Sequence, residues 1–203
     1  MKRRLVFLAA AWFFSASTLG AQDFYKVGIG ASMPVGETAG RAGPGVSFVA
    51  GVRPYIRSRL YLVLDFSVQE MTARVARPAD GSPVDVGLQV LSLTLSPSFD
   101  VARFEGFSGY IIGGYGLYNR RLQSARRDAG LDGACDSWWD VCGAEAASET
   151  RFVQQSTYKG GFNVGGGAAF GRHGNFFAEV RYHRMWTTSR PTEIIPATFG
   201  FRW

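Results

Sequence analysis

The sequence predicts an all-β protein, an eight-stranded antiparallel transmembrane β-barrel in an up-and-down meander. Eight segments alternate apolar and polar residues with a period of two, as strands with one lipid-facing side do. The connections between these segments are alternately long and short, which is typical of a membrane barrel. No stretch of about 20 apolar residues follows the N-terminal region, which excludes a helical membrane protein.

The N-terminus predicts export. Residues 1–21 have the three parts of a signal peptide: a basic start at Lys2 to Arg4, an apolar run from Leu5 to Phe14, and a small-residue exit that ends near Ala21. The barrel domain is then expected to span residues 22–203, in the cell outer membrane. Removing Lys2, Arg3 and Arg4 from the 22 basic residues leaves 19 against 16 acidic ones, a net charge of +3. This small excess gives no reason to expect a nucleic-acid partner.

The first half of the mature chain supplies four of the predicted strands. Their outward, apolar positions are Tyr25 to Met33, Val46 to Val52, Leu60 to Val68 and Leu91 to Phe99, taking every second residue. Residues 72–85, which contain Pro78, Gly81 and Pro83, interrupt the pattern and are expected to be irregular. Pro97 has the outward parity and is expected close to the end of its strand, before a turn at residues 102–106.

The second half supplies the other four strands. In residues 109–121 the adjacent Ile111 and Ile112 make the parity ambiguous, and we favour Ile111, Tyr115 and Leu117 as outward. Residues 124–155 form the longest irregular segment, which in a compact domain usually indicates a functional loop. Strands follow at residues 158–170, 176–183 and from about 194 to the C-terminal residue. The last strand alternates to its end, with Phe199, Phe201 and Trp203 on the apolar side.

The inward parity carries charge, which argues against a soluble barrel with an apolar ligand cavity. Eight strands leave an interior just wide enough for side chains to fill. We therefore expect a closed barrel held by a lumen ion-pair network, with a narrow conducting path as the alternative. The candidate network residues are Lys26, Arg53, Asp65, Lys159, Glu179, Arg181 and Arg202.

The segments F-F-A-E-V-R-Y-H-R at residues 176–184 and I-P-A-T-F-G-F-R-W at residues 195–203 resemble the small outer-membrane β-barrel family. This family includes the OmpA transmembrane domain, OmpX, OmpW and opacity-type proteins. The resemblance implies that Phe199, Phe201 and Trp203 form the signal read by the outer-membrane assembly machinery. It also implies outer-membrane lipid and lipopolysaccharide as the surroundings of the barrel.

The long loop contains the two cysteines of the chain, Cys135 and Cys142, which are expected to form a disulfide in an oxidising compartment. Trp138 and Trp139 lie between them. Two interpretations of these tryptophans are equally consistent with the sequence. If the rings are exposed, they would contact an extracellular partner or lipopolysaccharide headgroups; otherwise they pack against their own loop.

The sequence favours a structural or surface-interaction role with a closed lumen and displayed loops. A narrow channel for small or apolar solutes, similar to OmpW, is the alternative. An acyl enzyme acting on lipid A is the weakest hypothesis, because it would need a hydroxyl two residues from His183, where Arg181 and Met185 lie instead. We expect no catalytic residue, no metal site and no cofactor.

Overall fold

The computed structural model describes residues 25–76, 83–123, 135–136, 141–142, 154–171, 175–187 and 190–203. The predicted signal peptide and the two loop tryptophans, Trp138 and Trp139, lie outside the described residues. The eight barrel strands are β1 Tyr25–Pro34, β2 Gly45–Val52, β3 Leu60–Ala76, β4 Pro83–Phe104, β5 Phe107–Gln123, β6 Gln154–Phe170, β7 Phe176–Met185 and β8 Thr192–Arg202. The remaining elements are a 3-10 turn at Gly36–Gly40, a short strand Tyr55–Arg57 and a hairpin of Cys135–Asp136 with Val141–Cys142.

Each strand pairs antiparallel with its sequence neighbours, and β1 pairs with β8, which closes the barrel. The β1–β8 register runs from Lys26 opposite Arg202 to Pro34 opposite Ile194. At the end that carries both termini, the N–H of Tyr25 donates to the carbonyl of Trp203 over 2.9 Å. The predicted eight-stranded up-and-down barrel is confirmed. The described residues contain no helix that is long and apolar enough to cross a membrane.

The outer surface of the barrel is apolar, as the alternation predicted. Ile29, Phe66, Leu93, Leu117 and Phe199 all lie on it and keep between 46% and 68% of their surface exposed. An apolar surface that encircles a barrel is unfavourable in water and is the surface that a bilayer covers. The favoured parity of β5 is also confirmed, because Ile111, Tyr115 and Leu117 are exposed whereas Ile112 is buried.

The polarity of the two faces inverts near the end of the barrel that is opposite the termini, here called the loop end. Up to Val68, the outward residues of β3 are apolar, and the inward residues Asp65, Ser67 and Gln69 are polar. Beyond this point Glu70, Thr72 and Arg74 are outward, and Met71 and Ala73 are buried. The partner strand β4 inverts at the same level, from the inward Ser92 and Thr94 to the inward Val90, Leu88 and Val86. The inversion marks where the wall leaves the lipid for water.

Strands β3 to β6 continue beyond this level, so the expectation that residues 72–85 are irregular is wrong for residues 72–76 and 83–85, while residues 77–82 lie outside the described residues. Thr72 pairs with Gly87, and the β3–β4 ladder continues to Ala76 opposite Pro83. The connection between the two strands is therefore only residues 77–82. These four strands have 17 to 22 residues, against 8 to 11 for β1, β2, β7 and β8. One side of the barrel wall thus stands higher than the other at the loop end.

Pro97 lies on the outward face as predicted, but the expectation that it lies near a turn is wrong, because β4 continues to Phe104 and the turn is only Glu105 and Gly106. The β4–β5 pairing is interrupted at Ser96 and Pro97, where the proline has no N–H to donate. Gly114 of β5 lies opposite this gap. A Cβ added at Gly114 would lie 2.1 Å from the carbonyl oxygen of Leu95, so the close approach of the two strands requires glycine.

The β1–β2 connection completes the low side of the wall at the loop end. The N–H of Arg74 on β3 donates to the carbonyl of Arg41 over 2.7 Å, and Ala42 forms a bridge with Ala73. Thr38, in the 3-10 turn, is fully buried, and its hydroxyl accepts the N–H of Glu193 on β8 over 3.0 Å. This connection is therefore packed against the barrel mouth on both sides.

Candidate functional site: the filled lumen

Two cations and two carboxylates from three strands meet inside the barrel and form what we call the ionic layer: Lys26, Asp65, Glu179 and Arg181. The Lys26 Nζ lies 2.9 Å from Asp65 Oδ2 and 3.4 Å from Glu179 Oε1. The Arg181 guanidinium lies 2.6 Å from Asp65 Oδ2 through a terminal nitrogen and 2.8 Å from Glu179 Oε1 through Nε. All four side chains are 5% exposed or less.

The ionic layer has no net charge, since two positive groups face two negative ones. Tyr110 adds a hydrogen bond of 2.9 Å from its hydroxyl to Glu179 Oε2. Removing one member of a buried ion pair typically costs about 3–5 kcal/mol, because the remaining charge is left without compensation. The four charges therefore lock β1, β3 and β7 to one another across the lumen.

A second group of side chains closes the terminal end of the lumen. Arg53 donates to Asp100 Oδ1 over 2.9 Å, and its guanidinium stacks on the Tyr61 ring with 3.4 Å between Cζ and the ring centroid. Arg103 donates to the other oxygen of Asp100 over 2.5 Å and to the Tyr61 hydroxyl over 3.1 Å. Arg53 and Asp100 are buried, whereas Arg103 is partly exposed at the rim.

Small polar side chains fill the lumen between the ionic layer and the loop end. The hydroxyls of Ser67 and Ser92 lie 2.5 Å apart, and Gln69 donates to Ser67 over 2.8 Å. Asn163 exchanges hydrogen bonds of about 3.1–3.2 Å with Ser96. These contacts join inward positions of β3, β4 and β6, so the polar residues satisfy one another instead of lining an open pore.

An internal cavity of about 20 Å³ lies between the ionic layer and the polar side chains. Three of its lining residues have a buried oxygen with no hydrogen bond from a described residue: Ser47 Oγ, Asp65 Oδ1 and Gln69 Oε1. A water molecule needs about 10–15 Å³ of such space and two to four polar partners. The cavity therefore fits about one water molecule and is too small for a solute.

An apolar plug, which the sequence analysis did not predict, seals the loop end. Its residues are buried and form one contact cluster: Ala42, Met71, Ala73, Val86, Leu88, Val90, Tyr118, Leu122, Met185 and Ile194. Most of them are the inward residues above the level at which the faces invert. Large apolar side chains that fill an eight-stranded lumen exclude water and ions from it.

His183 lies between the ionic layer and the plug. Its Nδ1 is 3.0 Å from the hydroxyl of Tyr118, and the two rings meet edge to face with centroids 5.8 Å apart. His183 is 4% exposed. It faces the lumen interior and not the lipid, and its hydrogen-bond partner here is a phenol. The arrangement that an acyl transfer at this histidine would need, a serine or threonine hydroxyl bonded to it, is not seen among the described residues.

The seven residues predicted for the lumen network fall into four places. Four form the ionic layer, and Arg53 pairs at the terminal end. Arg202 is buried opposite Lys26 in the β1–β8 register. Lys159 is half-buried toward the loop end of β6, opposite Tyr118 and outside the ionic layer.

Sequence reasoning missed two residues that complete the lumen contacts. Asp100 continues the inward series of Ser92, Thr94, Ser96 and Ser98 by one step, so extending the alternation would have found it. Tyr110 was hidden by the ambiguous parity of β5. Among the residues that the structure describes, no group of three or more His, Cys, Asp or Glu could hold a metal ion.

The residues predicted as the assembly signal belong to a ladder of rings on the outer surface at the terminal end. Phe199 stacks on Phe176 with centroids 6.3 Å apart, and Phe201 and Trp203 are 5.9 Å apart. Trp203 reaches Tyr25 of β1 at 6.0 Å, across the closure of the barrel. All three signal residues thus lie at the surface that faces lipid at this end.

No protein-family model matches the sequence, and no curated protein matches it. Several solved structures are similar in fold, including the following two. Neisserial surface protein A has 12% sequence identity and a TM-score of 0.59, with 90% of this chain and 96% of that chain covered. The outer membrane protein OprG from Pseudomonas aeruginosa has 8% identity and a TM-score of 0.55, covering 89% and 96%.

Identities this low show shared architecture and not shared activity. The likeness covers about nine-tenths of this chain, which forms eight antiparallel strands in a closed wall with an apolar outer surface. The chain therefore has the eight-stranded antiparallel β-barrel fold of small outer-membrane proteins.

Proposed function

We propose that the protein is a closed outer-membrane scaffold with a structural or surface-interaction role, displayed through the loop end of the barrel. The apolar outer surface and the fold likeness support the membrane placement. The even strand number puts both termini on one side, and the tight turns lie on that side too. In this placement the terminal end faces the periplasm and the loop end faces outward.

The observation that carries this proposal is the filled lumen. The pair of Arg53 and Asp100, the ionic layer, the polar side chains and the apolar plug succeed one another from the terminal end to the loop end. The alternative function, a narrow channel, would require the plug and at least one layer of buried ion pairs to move. The contacts that fill the lumen therefore stabilise a rigid, closed wall.

The tall side of the wall is the proposed interaction surface. The ladder between β7 and β6 ends at Met185 opposite Gly161, whereas β6 itself continues to residue 154 with β5 on its other side. Among the described strands, none therefore pairs with the β7-facing edge of β6 at residues 154–158. A free strand edge above the membrane accepts an extended segment of a partner through main-chain hydrogen bonds. The short hairpin of the long loop aligns Cys135 with Cys142 in register, a placement that suits the predicted disulfide.

The placement is tested by epitope insertion. A short epitope inserted in the connection of residues 77–82 is expected to bind antibody on intact cells, whereas the same epitope inserted at Ser58, in a turn at the terminal end, is expected to bind only after permeabilisation. The folded state of both variants is checked by the gel-mobility shift of a heated against an unheated sample. Labelling of the Ser58 insertion on intact cells would overturn the proposed orientation.

A further inference from the structure

One sector of the rim at the terminal end combines exposed apolar and exposed basic side chains, here called the basic rim. The apolar members are Tyr55, Ile56, Phe104 and Phe107, which are 43% to 70% exposed. The basic members are Arg57, Arg59 and Arg103, also exposed. We propose that the basic rim binds the headgroup of an anionic phospholipid in the periplasmic leaflet of the membrane.

The backbone brings these residues to one place. Tyr55 and Arg57 pair with the first residues of β3, and the carbonyl of Arg59 accepts the N–H of Asp100 on β4 over 3.0 Å. Phe104 and Phe107 face each other at the ends of β4 and β5, with ring centroids 6.4 Å apart. The turn between β2 and β3 therefore sits beside the turn between β4 and β5.

Within the described part of the chain, the charge of the basic rim is only partly compensated. Asp100 is buried and already pairs with the buried Arg53. Its second oxygen holds Arg103. Among the described residues, Arg57 and Arg59 have no ion pair. The exposed groups are then Arg57, Arg59 and Arg103 against Glu105 alone, which gives +3 − 1 = +2.

The combination of apolar and basic side chains in the basic rim matches the depth profile of a lipid leaflet. Aromatic and aliphatic side chains lie at the boundary of the hydrocarbon, and arginines lie beside them at the level of the phosphates. A guanidinium forms paired hydrogen bonds with phosphate oxygens, and each basic residue near an anionic surface adds up to about fivefold in affinity. The commitment to a periplasmic-leaflet phospholipid rests on the proposed orientation.

The test measures lipid selectivity in nanodiscs of phosphatidylcholine that contain the refolded barrel. Spin-labelled phosphatidylglycerol and spin-labelled phosphatidylcholine are compared by electron paramagnetic resonance, which gives the relative association constant of each lipid with the protein. The wild type is expected to prefer phosphatidylglycerol, and the preference should fall in 1 M salt, where charges are screened beyond about 3 Å.

The variant R57Q/R59Q is expected to lose up to about fivefold of the preference per arginine, and R57K/R59K to keep most of it. The matched control is R184Q/R190Q, which removes two arginines at the loop end that already contact Glu193 and Glu37. It should leave the preference unchanged. An unchanged preference in R57Q/R59Q, or an equal fall in the control, would overturn the proposal.

The gel-mobility shift confirms folding of each variant, and the lysine variant separates loss of charge from damage to the turn. A failed lipid preference would leave the epitope result intact, so failure of this inference is distinguishable from failure of the proposed placement. If the epitopes show the reverse orientation while R57Q/R59Q still loses the preference, an anionic headgroup is bound but in the opposite leaflet, which overturns the periplasmic assignment.

Discussion

Replacing Asp65 by Asn tests whether the ionic layer acts as one neutral unit. The change keeps the shape of the side chain but removes one of two negative charges, and Asp65 Oδ2 is the atom that both Lys26 and Arg181 contact, at 2.9 and 2.6 Å. Two buried cations would then share the single carboxylate of Glu179. We expect a loss of about 3–5 kcal/mol in the free energy of unfolding, the cost of an uncompensated buried charge.

The unfolding free energy is measured by denaturant titration of the barrel in lipid vesicles, followed by tryptophan fluorescence. The matched control is E37Q. Glu37 pairs with Arg190 over 2.8 Å, but both side chains are more than half exposed, so the control should cost at most about 1 kcal/mol.

The double variant K26M/D65N tests whether the loss of stability in D65N comes from an uncompensated positive charge. Removing one cation together with one anion leaves Arg181 paired with Glu179 over 2.8 Å, and the layer is neutral again. The double variant should therefore be more stable than D65N alone. The single variant K26M is measured as well. If D65N costs less than about 1 kcal/mol, or if K26M/D65N loses as much stability as K26M and D65N lose together, the interpretation of the layer as a unit is refuted.

Two further predictions concern packing in the wall and the lumen. Gly114→Ala should lower the unfolding free energy by about 1–3 kcal/mol, because its Cβ would overlap the Leu95 carbonyl, whereas Gly40→Ala, with nothing within 4 Å, should stay within about 0.5 kcal/mol; equal losses would contradict the close-approach argument. A crystal structure at high resolution should show an ordered water within hydrogen-bond distance of Asp65 Oδ1 and Gln69 Oε1, and an empty cavity there would contradict the assignment of these atoms to a water.

The barrel itself could be predicted from the sequence because lipid imposes one rule on every strand it touches. In β8 the apolar positions from Ile195 to Phe201 all face out, and the inward positions from Pro196 to Arg202 are buried or half-buried. The ion-pair residues follow from the same rule, since a charge on the outward parity would face hydrocarbon. Alternation thus predicts which residues share the lumen, but not which of them touch, because contacts depend on the stagger between strands.

The tall side of the wall was missed because the rule reverses there. Above Glu70 and Gln89, which are hydrogen-bonded at 3.1 Å, the outward residues meet water and become polar, and the inward residues become apolar. Val90 and Leu91 are adjacent apolar residues where the two patterns join. A period-two pattern that changes phase looks like the end of a strand. Pro78, Gly81 and Pro83 strengthened that interpretation, although the structure places Pro83 as the first residue of β4.

The filled lumen is closed at both ends, and single-channel conductance of the refolded protein in planar bilayers tests this closure most directly. The recording is made with the bond predicted between Cys135 and Cys142 intact and then reduced. Because the plug and the ionic layer do not include these cysteines, we expect no stable openings in either state. Stable openings in the oxidised protein would contradict the filled lumen, and openings that appear only on reduction would mean that the long loop, and not the lumen, holds the barrel shut.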